Sequence, residues 1–132
     1  MRSLTVRFYE DAWNRADETA ARAILDPAVR FKGTLAEETV GPESVLAYMR
    51  GTRAVLAGFR ITIDELVVKE PRAAVRLTFT GKHVGTLLGY PPTGRQITWH
   101  GAGFFTAGKG RLTEIWVLGD NDALRAQLHA TP

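Results

Sequence analysis

The sequence predicts an α+β fold in which helices come first and a run of antiparallel strands follows. Apolar residues recur at helical spacing through the first half of the chain, and from Arg60 onward their period changes to two. The triplets 70–72 and 108–110 contain turn-forming residues and separate strand-like segments by hairpin-length connections. We therefore expect the helices to pack on one face of a sheet.

Three helices are predicted in the first half of the chain. The first runs from residue 4 to about 15 on an amphipathic pattern, and the second starts at Asp17-Glu18 and stops at Leu25, before Asp26-Pro27. The third starts at Gly41-Pro42-Glu43 and reaches Gly58, because proline and an acidic residue favour the first turn of a helix. A short strand around 29–31 precedes it.

Four strands and one short helix are predicted in the second half. The strands occupy about 60–69, 73–84, 96–106 and 111–119, and the helix spans Asn121 to His129. Within the first of these strands the apolar residues change parity, from Ile61 and Ile63 to Leu66 and Val68. This change predicts a β-bulge.

Length and composition predict one globular domain over residues 1–132. Hydrophobic residues make up 45% and charged residues 23%, which is typical of a chain that buries a core. No apolar run approaches the roughly 18 residues of a membrane span, and the first residues lack a signal-peptide pattern. We expect a cytoplasmic protein without a membrane partner.

The charged and metal-binding residue types exclude several functions. The net charge is +3, but the 17 basic residues are scattered, which argues against a nucleic-acid partner. Cysteine is absent, and the three histidines lack metal-ligand spacing, so we expect no metal and no other cofactor. The glycine-containing segment 85–94 fits neither the phosphate-loop pattern nor the dinucleotide-binding pattern. Neither Ser3 nor Ser44 lies in the G-x-S-x-G nucleophile elbow of hydrolases.

Asp120 is the most informative titratable residue. Counting by two along the last strand places it on one face with Trp116 and Leu118, and desolvation there would raise its pKa and make it a better base. The alternative is structural, since Asp120 directly precedes a predicted helix and is a good N-cap residue. Both interpretations stay open at the level of sequence.

Two histidines are further candidates for the chemistry. His83 shares a strand face with three apolar residues, and His100 alternates with Trp99 and shares a face with Phe104. Each is either a wall residue of a core or pocket or a catalytic group. His129 lies near a helix C-terminus, where a cation is mildly favourable, and needs no other role.

Tyrosines and tryptophans supply the candidate binding residues. Core packing explains most of them, but such side chains can also line a cavity for a flat hydrophobic ligand, with their polar tips orienting it. The candidates for substrate binding are Tyr9, Trp13, Tyr48, Trp99 and Trp116.

Four stretches of the chain resemble the SnoaL-like polyketide cyclases, also called ester cyclases. They are Phe8 to Asp17 in the first helix, Gly41 to Val45 in the third, Phe79 to Arg95, and Gly110 to Leu128 with its Trp116 and Asp120. The family belongs to a wider group that includes ketosteroid isomerases and a nuclear transport factor. The resemblance implies a cone-shaped, strongly curved antiparallel sheet whose N-terminal helices close a deep pocket.

The resemblance also implies a function. It identifies Asp120 as the acid/base of a cofactor-free intramolecular aldol ring closure of a polyketide-type ester, with His83, His100 or the Trp99 indole donating a hydrogen bond to the enolate. Many relatives carry an acidic residue where Gly103 stands and a His-Asp-Pro-like run at 32–34, so this pocket differs in polarity or substrate. The alternatives are epoxide hydrolysis or isomerisation in the same pocket, and a non-catalytic module that binds a hydrophobic ligand.

A homodimer or higher homo-oligomer is expected from the last two strands. Large apolar residues occupy both of their faces, for example Phe104 against Phe105 and Trp116 against Ile115. One face can pack on the helices, and the other needs a partner.

Overall fold

In a computed structural model of the chain, the described residues 1–129 form helices and strands in the predicted order. Residues 130–132 of the predicted domain lie outside the described part. The helices are α1 (Arg2–Arg7), α2 (Glu18–Ile24), α3 (Pro42–Val55) and α4 (Asn121–His129), and a π-helical segment (Phe8–Asn14) continues α1. The strands are β1 (Leu25–Lys32), β2 (Thr39–Val40), β3 (Leu56–Lys69), β4 (Arg72–His83), β5 (Gln96–Gly108) and β6 (Arg111–Gly119).

The strands of residues 1–129 form one curved, unclosed sheet in the order β2-β1-β6-β5-β4-β3. Neighbours are antiparallel from β3 to β6, as the hairpin turns predict. However, β1 pairs with β6 in parallel, so the sheet is mixed rather than purely antiparallel. A hairpin turn imposes antiparallel pairing, whereas β1 follows a helix and reaches β6 from the other end of the chain.

Most element boundaries follow the sequence pattern, but β2 was not predicted, the predicted first helix is divided into α1 and the π-helical segment, and three boundaries differ. The third helix ends at Val55, three residues before Gly58, because the chain becomes extended at Leu56 and starts β3 there. The strand predicted around 29–31 starts at Leu25. The predicted bulge is present, since the β3–β4 register shifts between Ile63 and Glu65.

Asn14 fixes the end of the first helical stretch against the sheet. Its side-chain amide donates to the Ile61 carbonyl (2.8 Å), and its amide oxygen accepts from the Ile61 N–H (2.9 Å). These bonds satisfy both backbone groups of Ile61, next to an irregular stretch of β3. They place the buried Tyr9 and Trp13 above the inner face of the sheet.

Gln127 attaches α4 to the sheet in a similar way. Its side chain accepts from the Thr98 N–H (3.0 Å) and donates to the Thr98 carbonyl (2.7 Å). The helix thus covers part of the edge of the sheet, and its own residues Leu124 and Leu128 are buried. None of the helices in residues 1–129 is long and apolar enough to cross a membrane.

The outer face of the sheet carries an exposed apolar patch. Phe104 and Leu118 are each 49% exposed and Trp116 is 39% exposed. Strand register puts Val67, Ala74, Phe104 and Trp116 in one row across four strands. The expected second apolar face is therefore present among the described residues, and helices cover only the opposite face.

Candidate functional site

A small cavity lies between the inner face of the sheet and the helices. Its volume is about 20 Å³, which is room for about one water molecule. Aromatic rings form a continuous series around it, from Phe31 through Tyr48, Trp13 and Phe59 to Trp99, with centroid separations of 5.1 to 6.1 Å. The full lining is Phe8, Tyr9, Trp13, Phe31, Gly33, Thr34, Leu35, Tyr48, Thr52, Phe59, Ile61, Phe79, Trp99 and Val117.

Glycines on β5 and β6 allow these side chains to approach the sheet. A Cβ at Gly103 would lie 3.1 Å from the Tyr9 hydroxyl oxygen, and one at Gly119 would lie 3.1 Å from Trp99 Nε1 and collide with Thr34. Residues with side chains at these positions would fill the space in which the two polar atoms lie. Glycine at these two positions therefore leaves room for the Tyr9 hydroxyl and the Trp99 indole nitrogen, which form the polar end of the cavity.

Two polar atoms of the lining are buried and have no hydrogen-bond partner among residues 1–129. They are the Tyr9 hydroxyl and the Trp99 indole Nε1. An unpaired buried donor costs roughly 1–3 kcal/mol, so proteins seldom keep one without a reason. Both atoms are available to a ligand with hydrogen-bond acceptors.

Tyr48 closes the side of the cavity opposite the sheet. Its hydroxyl oxygen accepts from the Leu35 N–H (3.0 Å), and its ring packs so tightly on Gly33 that any Cβ there would collide with it. Burial raises the pKa of Tyr48 to about 12, and burial together with the neighbouring Tyr48 raises the pKa of Tyr9 well above its ordinary value. Both hydroxyls are thus neutral at physiological pH.

The cavity has no ionisable acid/base group of the usual kinds in its described lining. No carboxylate, histidine, lysine or arginine contributes to it. Residues 1–129 also contain no group of three or more histidine, aspartate or glutamate side chains able to hold a metal ion. In an apolar space of this kind a charged ligand would lose its hydration without compensation, so the cavity suits a neutral molecule.

Asp120 lies outside this cavity, and the expectation of a buried carboxylate on the apolar strand face is wrong. The residue is exposed, and its Oδ1 accepts from the Ala123 N–H (3.1 Å) at the start of α4. The inward positions of β6 are Ile115 and Val117, which are buried, so counting by two from Trp116 leads to the outer face. The carboxylate therefore caps the helix.

Trp116 and His100 also lie on the outer face of the sheet. Trp116 packs on Phe104, with ring centroids 6.4 Å apart, and contributes nothing to the cavity wall. His100 is exposed, and its Nδ1 lies 3.1 Å from the Thr78 hydroxyl. Both residues were expected near the ligand, and strand alternation directs them away from it.

His83 is buried on the inner face but beyond the cavity, at the end of β4. Its Nδ1 accepts from the Thr93 N–H (3.2 Å), and the Gly94 N–H donates to its carbonyl (2.9 Å). The ring therefore anchors the loop between β4 and β5, and Nε2 is left buried without a partner. His83 therefore lies at the base of this loop rather than in the described lining of the cavity.

Four of the eight predicted site residues come together around the cavity: Tyr9, Trp13, Tyr48 and Trp99. Sequence reasoning missed Thr34 and Leu35, which come from the connection between β1 and β2 and have no periodic pattern. It also missed Phe59, whose place beside Trp13 depends on the irregular start of β3. The glycines of β5 and β6 were a usable signal, because glycine inside a strand often marks a close approach.

The chain matches a family model along almost its whole length. The model is described as SnoaL-like polyketide cyclase, and it covers residues 3–128. The chain belongs to the SnoaL-like polyketide cyclase family. Curated protein sequences gave no match.

Solved structures show the same fold. A protein from Jannaschia sp. CCS1, assigned as a SnoaL-like polyketide cyclase, aligns with a TM-score of 0.89 at 20% identity and covers 99% of this chain and 92% of its own. TsrD from Streptomyces laurentii aligns at 0.85 with 29% identity, covering 98% and 95%. IdmH from Streptomyces antibioticus, assigned as a polyketide cyclase, aligns at 0.83 with 26% identity, covering 98% of each.

The buried tyrosines predict a loss of stability at high pH. An unfolded tyrosine ionises near pH 10, whereas the folded pKa of Tyr48 is about 12. Stability from the neutral hydroxyl is therefore intact below about pH 10 and falls by about 3 kcal/mol as the pH rises to about 12. Denaturant unfolding across this range should show a shallower fall for Tyr48→Phe than for the wild type. Equal slopes would mean that the Tyr48 hydroxyl is not buried.

Proposed function

We propose that this chain binds a small, neutral, largely apolar carbonyl compound inside the cone. The observation that carries the proposal is the pair of buried, unpartnered donors, Tyr9 hydroxyl and Trp99 Nε1, in a lining that is otherwise almost entirely apolar. Carbonyl and ether oxygens accept hydrogen bonds without carrying charge, so they suit both the donors and the low-dielectric surroundings.

The ligand's body follows from the aromatic lining. Trp13, Phe59 and Trp99 present ring faces and edges within about 6 Å of one another. Flat conjugated or polycyclic molecules gain most from such surroundings. This agrees with the family, whose name refers to polyketides, and with the apolar, carbonyl-rich character of polyketide chemistry.

Replacement of Tyr9 by phenylalanine tests the proposed donor. Tyr9→Phe removes an unsatisfied hydroxyl, so the ligand-free protein should keep or gain stability. Binding of the naphthyl ketone Prodan, followed by its fluorescence, should weaken by about threefold to tenfold, because one hydrogen bond is lost. N-phenyl-naphthylamine, which has no carbonyl, serves as the control probe and should bind both proteins equally. Unchanged Prodan affinity in Tyr9→Phe would contradict the assignment.

A second candidate is the aldol cyclisation that the family resemblance implies. The observation in its favour is that Asp120 directly precedes Asn121, whose side chain is bonded to the lining residue Thr34 (2.9 Å). Asp120 would remove a proton from the carbon between two carbonyls, the enolate would attack a distant ketone, and the proton would return to the new alkoxide. In this scheme Tyr9 and Trp99, rather than His83 or His100, would donate to the enolate oxygen.

Asp120→Asn separates this candidate from simple binding. Asparagine is as good an N-cap as aspartate, so the variant should fold normally but cannot act as the base. If Asp120 is catalytic, cyclisation of a linear polyketide ester, followed by chromatography, should slow by orders of magnitude, about 100-fold or more. Asp122→Asn, in the same helix turn, is the matched control and should keep the wild-type rate. Equal rates in both variants would leave Asp120 as a helix cap only.

We also propose a homodimer through the outer face of the sheet. Phe104 on β5 and Trp116 and Leu118 on β6 are exposed neighbours. The ion pair between Arg30 of β1 and Glu114 of β6 (2.8 Å) lies beside them. A two-fold axis near this patch would bury the apolar row of one copy against that of the other, a self-complementary arrangement.

Light scattering tests the dimer. At micromolar concentration the mass should be about twice the 14.5 kDa of the chain, and Phe104→Glu should return it to that of one chain. A monomeric wild type would refute the dimer without affecting the cavity assignment.

A further inference from the structure

An apolar groove adjoins the cavity and is distinct from the apolar patch on the outer face of the sheet. It is formed by residues of α3, of the connection between β1 and β2, and of the loop between β4 and β5, and its volume is about 300 Å³. Its lining is Leu35, Ala36, Tyr48, Gly51, Thr52, Val55, Thr86, Leu87 and Leu88. Leu35, Tyr48 and Thr52 line both spaces, so the groove adjoins the cavity at these side chains.

Hydrogen bonds hold Leu35 in place between the two spaces. The Leu35 N–H donates to the Tyr48 hydroxyl (3.0 Å). The preceding Thr34 is bonded twice to Asn121, since its hydroxyl donates to Asn121 Oδ1 (2.9 Å) and its carbonyl accepts from Asn121 Nδ2 (2.9 Å). These bonds hold the backbone at Leu35, whereas its apolar side chain has only packing contacts to lose when a ligand displaces it.

We propose that the groove is the outer half of the ligand site and that Leu35 is the plug between its two halves. This inference rests on the proposed function of the cavity. In it, the carbonyl end of the ligand reaches Tyr9 and Trp99, and an apolar extension of the same molecule lies in the groove.

The volumes require a shared site. The inner cavity holds about one water molecule, whereas pockets for small organic ligands occupy roughly 300–1,000 Å³. A ligand with even one ring must therefore displace part of the lining, and of the three residues shared with the groove Leu35 is the one outside a helix or strand. Displacing the strand residues instead would break sheet hydrogen bonds.

The lining of the groove indicates the chemistry of the ligand's outer half. Its described side chains are aliphatic or neutral, with no charged residue among them. Leu88 is 36% exposed and has a positive φ of 51°, an uncommon backbone conformation for leucine that directs an apolar side chain to the groove. An aliphatic or aromatic extension without charge fits this surface.

Gly51 provides a direct test of the groove. It lies in α3 on the wall of the groove, and a Cβ there would meet no atom within 4 Å, so a larger side chain fits at this position without a clash. Gly51→Leu should also stabilise the helix, because glycine is a poor helix former. Weaker ligand binding by this variant therefore cannot be ascribed to unfolding.

The experiment measures Prodan affinity for the wild type, Gly51→Leu, Gly51→Ala and Leu35→Ala. We expect about tenfold weaker binding for Gly51→Leu, near wild-type affinity for Gly51→Ala, and faster association with Leu35→Ala in stopped-flow mixing. If Gly51→Leu and Leu35→Ala bind Prodan with the affinity and rate of the wild type while Tyr9→Phe still binds it more weakly, the groove is not the outer half of the ligand site. That result would leave the proposed function of the cavity intact. Absence of Prodan binding to the wild type would overturn both the proposed function and this inference.

Discussion

Glycines on the inner faces of β5 and β6 allow the side chains of the interior to lie directly against the strand backbone, and the rest of the interior depends on this close approach. A Cβ at Gly101 would lie 2.5 Å from the Leu118 carbonyl oxygen and 2.7 Å from the Phe79 ring, so the aromatic lining rests directly on the strand backbone. The glycines at 103 and 119 do the same for the Tyr9 hydroxyl and the Trp99 indole. Replacing any of them would move the atoms that give the cavity its polar end.

This arrangement gives a pocket with hydrogen-bond donors but no base. The neutral hydroxyls and the indole can orient a carbonyl group and stabilise negative charge on its oxygen, which is half of what an aldol cyclisation requires. The other half, a proton acceptor, is absent from the described lining, and Asp120 would have to supply it from outside the cavity. Membership of the family therefore accounts for the fold, and the chemistry depends on whether a substrate can bring its acidic carbon within reach of Asp120.

The sequence predicted the fold well because its patterns are local. Helical spacing placed α1, α3 and α4, and the turn triplets placed the hairpins of β3 to β6. The parallel pairing of β1 with β6 had no local signal, since it joins segments more than 80 residues apart. Long-range pairing of this kind comes from packing rather than from periodicity.

The candidate site was predicted only in part, for a related reason. Period-two counting tells which residues share a face, but it does not tell which face is inside when both are apolar. On β6 the pair Ile115 and Val117 is buried and the pair Trp116 and Leu118 is exposed, so the count from Trp116 placed Asp120 on the wrong side. On the first helical stretch only one face is strongly apolar, and there Tyr9 and Trp13 were placed correctly.

The tryptophans at 13, 99 and 116 allow the central claim, binding inside the cone, to be measured directly. Trp13 and Trp99 line the cavity and Trp116 lies on the outer face, so the indole N–H signals in a ¹⁵N–¹H spectrum distinguish the two locations. Titration with Prodan should move the Trp99 signal downfield as its Nε1–H gains an acceptor, shift that of Trp13, and leave that of Trp116 unchanged. A titration in which only the Trp116 signal moves would contradict the account.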